Sequence, residues 1–116
     1  MAVTWTATVE ERWRESSKRY SRVKLTTSAS GNTYTTGGDA PPAFGALGLK
    51  RNLEALIFTD GVSGDGFIYK YDQTNNKIKV FVENDAAAYA QRPQMAELPA
   101  ATALNSKTAF VIAIGV

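Results

Sequence analysis

The chain reads as an all-β protein, and three observations carry that reading. Apolar residues recur at every second position in several short runs. Those runs are bounded by Gly, Asn, Asp and Pro, and the chain closes on a continuous apolar run of strand length. The clearest case is 66–82, GFIYKYDQTNNKIKVFV. Phe67, Tyr69 and Tyr71 alternate with Ile68 and Lys70, and Ile78, Val80 and Val82 alternate with Lys77, Lys79 and Phe81. Both arms therefore have the period of two that sends successive side chains to opposite faces of a sheet. Between them, Asp72 to Asn76 supplies side chains that bond nearby backbone groups, and Asn tolerates positive φ. The segment predicts an antiparallel hairpin with Phe67, Tyr69 and Tyr71 toward a core and Lys70, Lys77 and Lys79 in water.

Toward the N-terminus, Val3, Trp5, Ala7 and Val9 share one parity and Thr4, Thr6 and Thr8 the other, the pattern of a half-buried strand that Trp13 continues. The stretch 10–24 supports two readings. Val9, Trp13, Tyr20 and Val23 fit helical spacings, and Glu10 can pair with Arg14, so 9–22 can be drawn as a helix. Alternatively Glu15-Ser16-Ser17 turns a hairpin whose return strand is 19–27, with Val23 and Leu25 inward. The hairpin fits better, because Thr and β-branched residues dominate both ends and no Gly or Pro stop follows Lys24. After a loop at 28–31 and a short extended piece at 32–36 comes Gly37-Gly38. Pro42 suits a first helical turn and Gly48 a left-handed stop, predicting one short helical turn near 42–47.

Residues 52–59, with Leu56, Ile57 and Phe58 consecutive, predict a strand buried on both faces. The glycine-rich 60–66 reads as a loop, and 83–93 as polar and Ala-rich with a helical turn near 86–90. Pro99 makes 95–104 an edge strand or extended arm. The closing run TAFVIAIGV places Phe110, Ile112, Ile114 and Val116 on one face and Ala109, Val111 and Ala113 on the other, predicting a central, doubly covered strand. Seven or eight short strands with glycine-rich turns predict an antiparallel β-sandwich spanning 1–116 as a single domain, with a protruding N-terminal hairpin at about 3–27.

The totals restrict function. Thirteen basic against 11 acidic side chains give a net charge of +2, too weak to predict nucleic-acid or membrane-surface binding. The N-terminal stretch has neither a basic leader nor an apolar core, and no run approaches the ~20 apolar residues of a membrane helix. With no Cys and no His, disulfides and the usual His-based or Cys-based catalytic arrangements are missing. Glu10-Glu11 lies in a charged run and Asp60/Asp65 in a glycine loop, neither resembling an acid poised in an apolar cleft. The 60–66 segment also lacks the ligand spacing of a Ca²⁺ loop and the Gly-Lys-Ser/Thr of a phosphate loop. The expectation is a non-enzyme with no catalytic residues, no cofactor and no metal. Trp enrichment at interfaces singles out Trp5 and Trp13. Together with Arg14, Tyr20 and Arg22 of the charged N-terminal arm, they form the candidate interface.

A resemblance adds to this. Tyr34-Thr35-Thr36-Gly37-Gly38-Asp39, Pro41 and Leu47-Gly48-Leu49 are followed by Tyr69-Lys70-Tyr71-Asp72, Lys77-Ile78-Lys79, Glu97-Leu98-Pro99-Ala100 and Ala113-Ile114-Gly115. In that order they resemble a family of small structural proteins of tailed bacteriophages, over most of the chain. Ala101 departs from it, standing where the family often has Gly. The resemblance implies a capsid decoration (cement) protein: a jelly-roll β-sandwich, made in the host cytoplasm, that assembles as a homotrimer and binds the major capsid protein on the outside of the virion head. A receptor- or glycan-binding head-fibre or spike module, with Trp5 or Trp13 stacking on sugar rings, is the alternative expectation.

Overall fold

The structure, a computed structural model, describes residues 2–59, 67–84 and 94–116. The expected loop at 60–66 and the helical turn near 86–90 lie outside the described residues. The chain is mainly β, with antiparallel sheets and no helix among the described residues. Strands β1 (Thr6–Glu15), β2 (Lys18–Thr26), β3 (Leu53–Phe58) and β7 (Thr108–Gly115) form one sheet in the order β1-β2-β7-β3. Strands β4 (Ile68–Asp72), β5 (Lys77–Asn84) and β6 (Gln94–Glu97) form the second, in the order β4-β5-β6.

The hairpin reading of 10–24 holds and the helical one fails. Thr6 to Glu15 pairs with Lys18 to Thr26 around Ser16-Ser17, and Ser16 takes φ 55°. Strand β2 is in turn bonded to β7 along its length, from Arg19 opposite Gly115 to Thr26 opposite Thr108. The β4–β5 hairpin forms as its alternation demands. Asn76 turns with φ 54°, and Asp72 accepts hydrogen bonds from the Asn75 side chain at 2.9 Å and backbone at 3.4 Å.

No helix forms at 42–47. Ala46 and Leu47 donate to Ala43, Leu47 also to Phe44, and then Gly48 donates to Gly45 and Leu49 to Phe44. That last pair is the closure typical of a helix C-terminus, reached before a helix has begun. Gly48, at φ 83°, does supply the expected left-handed stop. The stop decides the outcome, because closing the chain this early leaves a run of tight turns.

The inner faces of the two sheets share one apolar cluster. Val23, Leu25, Val111 and Ala113 come from the first sheet, Tyr69, Ile78 and Val80 from the second, and Trp5, Leu47 and Leu104 from the connections. Trp5 meets Tyr69 edge-on at 5.6 Å, and Phe58 stacks on Tyr69 at 5.7 Å, so the tyrosine joins both sheets. Burying residues of this size is the main stabilising term, roughly 1.5–3 kcal/mol for each large aliphatic side chain.

Polar groups in the connecting segments are matched to backbone left unpaired by the strands. The buried Asn32 accepts from the Thr4 amide at 3.1 Å and donates to the Ser28 and Ser30 carbonyls, each at 3.1 Å. The buried Tyr34 reaches the edge of β5 where β6 ends: its hydroxyl donates to Glu97 Oε2 at 2.5 Å and accepts from the Val80 amide at 3.3 Å. Glu97 Oε2 also accepts from the Gly37 amide at 2.6 Å. Asp39 then exchanges backbone hydrogen bonds with Ile78, at 2.8 and 3.1 Å. The approach is so close that a Cβ on Gly38, at φ 101°, would lie 2.7 Å from the Ile78 carbonyl oxygen.

The Tyr34 hydrogen bond is the leading cause that holds the Glu97 carboxyl below its ordinary range, and desolvation partly opposes it. Desolvation first, and Glu97 second, push the Tyr34 hydroxyl well above its ordinary value. A depressed carboxyl contributes stability that is present above the unfolded value of about 4.3 and is lost as pH falls through the lower folded value. Tyr34→Phe leaves the Val80 amide without its acceptor and Glu97 with the Gly37 amide alone of its two donors. It is expected to lower unfolding free energy by about 1–3 kcal/mol at pH 7. Urea unfolding between pH 5 and pH 2 checks the linkage: the acid-dependent loss is expected to be shallower in the variant.

Ala101 takes φ 67°, in the left-handed region that favours glycine, while its amide donates to the Tyr34 carbonyl at 2.8 Å. Ala101→Gly is expected to raise stability by about 0.5 kcal/mol, the released strain exceeding the added freedom of the unfolded chain. A higher urea midpoint at unchanged slope is the readout.

Candidate contact surface

The outer face of the four-stranded sheet is where three of the five expected interface residues come together. Its rows follow from the strand register. Trp13 lies opposite Tyr20, Tyr20 opposite Ile114, and Ile114 opposite Ala55. In the next row Glu11 faces Arg22, Arg22 faces Ile112, and Ile112 faces Ile57; beyond it, Lys24 faces Phe110. Adjacent rows therefore present an apolar band running from Trp13 on one side of the sheet to Ile57 on the other. Within it Trp13 is 43% exposed, Ile57 50% and Phe110 37%. Tyr20, Ile112, Ile114 and Ala55 between them are half-buried.

This overturns two expectations of burial. Strands β3 and β7 do not carry cover on both faces: Leu56, Ala109, Val111 and Ala113 point into the core, but Ile57 and Phe110 remain exposed. β7 is central in its sheet, as expected, while β3 is an edge. The described chain has only one layer to pack against these strands, and that layer lies on the inner side.

Trp13 reaches this face through an irregularity that alternation alone does not show. Val9 pairs with Val23, but the next pair is Glu11 with Arg22, leaving Glu10 as an extra residue. Such a bulge inverts the parity of everything beyond it. Val9 therefore faces the core and Trp13 the outside, although the two are an even number of residues apart. The indole stacks on Tyr20 with centroids 5.6 Å apart and planes at 5°. Arg22 holds Glu10 at 3.9 Å and Glu11 at 3.8 Å, and Lys18 binds Glu54 at 2.5 and 2.6 Å. These exposed pairs add little stability; they rim the apolar band with matched charge.

Of the five residues expected at an interface, Trp13, Tyr20 and Arg22 share this face. Arg14, opposite Arg19, falls on the other parity, the one shared by Arg12 and Ser21. Trp5 is only 5% exposed and belongs to the core, because it precedes the bulge and packs on Tyr69. Its ring is not offered to a sugar or to a partner. Ile57, Phe110 and Ile112, which also lie on this face, were not among the expected residues, although the consecutive apolar runs containing them were visible.

No cluster of three His, Cys, Asp or Glu side chains suited to a metal occurs among the described residues. The chain matches no known protein family, no curated protein and no solved structure.

The two tryptophans provide a direct check. Trp13→Phe is expected to leave a blue-shifted emission that resists acrylamide, from buried Trp5. In the unsubstituted monomer, a second emission component, from Trp13, is expected to quench readily.

Proposed function

We propose that the chain is a decoration, or cement, protein of a bacteriophage head. In this reading the two sheets form a sandwich of the jelly-roll kind, the subunits assemble as homotrimers, and the trimers bind the major capsid protein on the outside of the shell. The long return that brings β7 between β2 and β3 fits such a fold, although the described residues form four and three strands where a full jelly roll has eight. One observation carries the proposal. Strands β3 and β7 have the composition of strands covered on both faces, yet the outer face, with Ile57, Phe110 and Trp13 exposed, has no cover from the described chain. An uncovered apolar band edged by charged groups is what a protein-contact face looks like before assembly.

In the proposal this band packs against a second copy of the chain, leaving other surface of the trimer to span neighbouring capsid subunits. A protein that binds only the assembled shell stabilises it by mass action, since its binding free energy is added to one state alone. The work then requires no chemistry beyond contact. The resemblance described above supplies the phage setting, and the uncovered face supplies the physical need for a partner.

Sedimentation equilibrium at micromolar concentration is expected to give a mass of about three times 12.5 kDa. Ile57→Asp, on an exposed edge-strand position, is expected to change subunit stability by no more than about 0.5 kcal/mol while shifting the species to monomer. A strictly monomeric parent protein overturns the trimer. Purified particles test the location: stoichiometric copies on the shell support decoration, whereas a few copies at the tail, or none, refute it.

A further inference from the structure

The bulge at Glu10 has an effect on the opposite side of the hairpin as well. It turns Arg14 away from the apolar band and places it directly opposite Arg19, so two guanidinium-bearing residues face one another across the β1–β2 pair. Like charges at directly paired strand positions repel. Lys50 and Arg51 approach the same place from the segment before β3. Arg14, Ser17, Arg19, Lys50, Arg51 and Val116 together line a concavity of ≈ 250 Å³.

The backbone amides that Lys50 and Arg51 bring to this pocket are already used. The amides of Lys50, Arg51 and Asn52 converge on the Val116 carbonyl oxygen at 3.1, 2.6 and 3.2 Å. What remains for a ligand is the set of four cationic side chains. The ion pairs among the described residues engage Lys18, Arg22 and Lys79, and none of these four. Arg14 has one long hydrogen bond, from Nε to the Ser16 carbonyl at 3.4 Å. A carboxylate at Val116 would offset one of the four charges and leave a surplus.

We propose that this pocket binds an oxyanion, a phosphate or carboxylate group, through Arg14, Arg19, Lys50 and Arg51. Paired guanidinium groups present planar forks that match the two oxygens of such a group, and the lysine adds a point charge. The anion relieves the cross-strand repulsion between Arg14 and Arg19, so binding and hairpin geometry support one another. The site stands apart from the Trp13 face, and its test does not depend on the trimer. Its occupant has two sources, a free phosphate or the acidic side chains of a partner protein.

The test is a titration of the intact chain with inorganic phosphate, followed by backbone amide NMR. Saturable shifts are expected at Arg14, Ser17, Arg19, Lys50 and Arg51, with a dissociation constant of about 1 mM that weakens several-fold as sodium chloride rises from about 0.05 to 0.5 M. Arg14→Gln with Arg51→Gln, and separately Arg19→Gln with Lys50→Gln, are expected to remove the response while the β7 amides keep their positions. Lys24→Gln, on the other face, is expected to leave it intact. A parallel titration with tetraglutamate separates the sources: tighter binding of the peptide than of phosphate assigns the site to an acidic protein surface, and the reverse assigns it to a small oxyanion. Absence of saturation with both probes overturns the proposal. So does a response that persists undiminished in either pair of substitutions.

Discussion

A single hydroxyl group, that of Tyr34, closes the polar account where the two sheets and their longest connections meet. β6 is short, and beyond its end β5 has no strand on the side away from β4. Leu98 takes the Val80 carbonyl, Tyr34 takes the Val80 amide, and Asp39 exchanges bonds with Ile78. A buried amide left without an acceptor costs free energy comparable to a lost hydrogen bond. The segment around Tyr34 therefore acts as a substitute strand, with Glu97 bonded to both Tyr34 and Gly37 to hold it in place. The aromatic ring and the hydroxyl have separate tasks. The ring fills the core, and the oxygen completes the sheet.

With the inner faces sealed in this way, the outer face of the four-stranded sheet is the part of the fold left unresolved in energetic terms. Its central strands bring apolar side chains to a surface that the described chain does not cover. The Glu10 bulge adds Trp13 to that surface and moves Arg14 and Arg12 off it. One extra residue thus sorts the N-terminal hairpin into an apolar, aromatic side and a cationic side. Without the bulge, Trp13 would point toward the core layer and Arg14 would interrupt the apolar band. The division gives the molecule two chemically distinct surfaces, one suited to packing and one suited to anions.

Much of the secondary structure was legible because alternation is a local property. The β4–β5 hairpin, the β1–β2 hairpin with its turn at Ser16-Ser17, and the closing strand all follow from residues two apart and from turn formers. Gly48 was legible as a left-handed position, but not the absence of a helix before it, since that depends on how early the chain closes on Phe44. The candidate surface was half legible. Trp13, Tyr20 and Arg22 were named from composition and charge. Trp5 was grouped with them, because sequence parity cannot show where a bulge falls.

Sequence alone determined that strands 53–58 and 108–115 carry apolar residues on both faces, for the alternation of side chains along a strand is set by its covalent geometry. Only the tertiary structure decided which of those faces has a neighbour. The inner face is covered because the β4–β5–β6 sheet and the Tyr34 segment pack against it. The outer face is open because the described chain provides no second layer there. Burial is a relation between distant parts of a chain, and a run of apolar residues states the demand for cover without saying what supplies it.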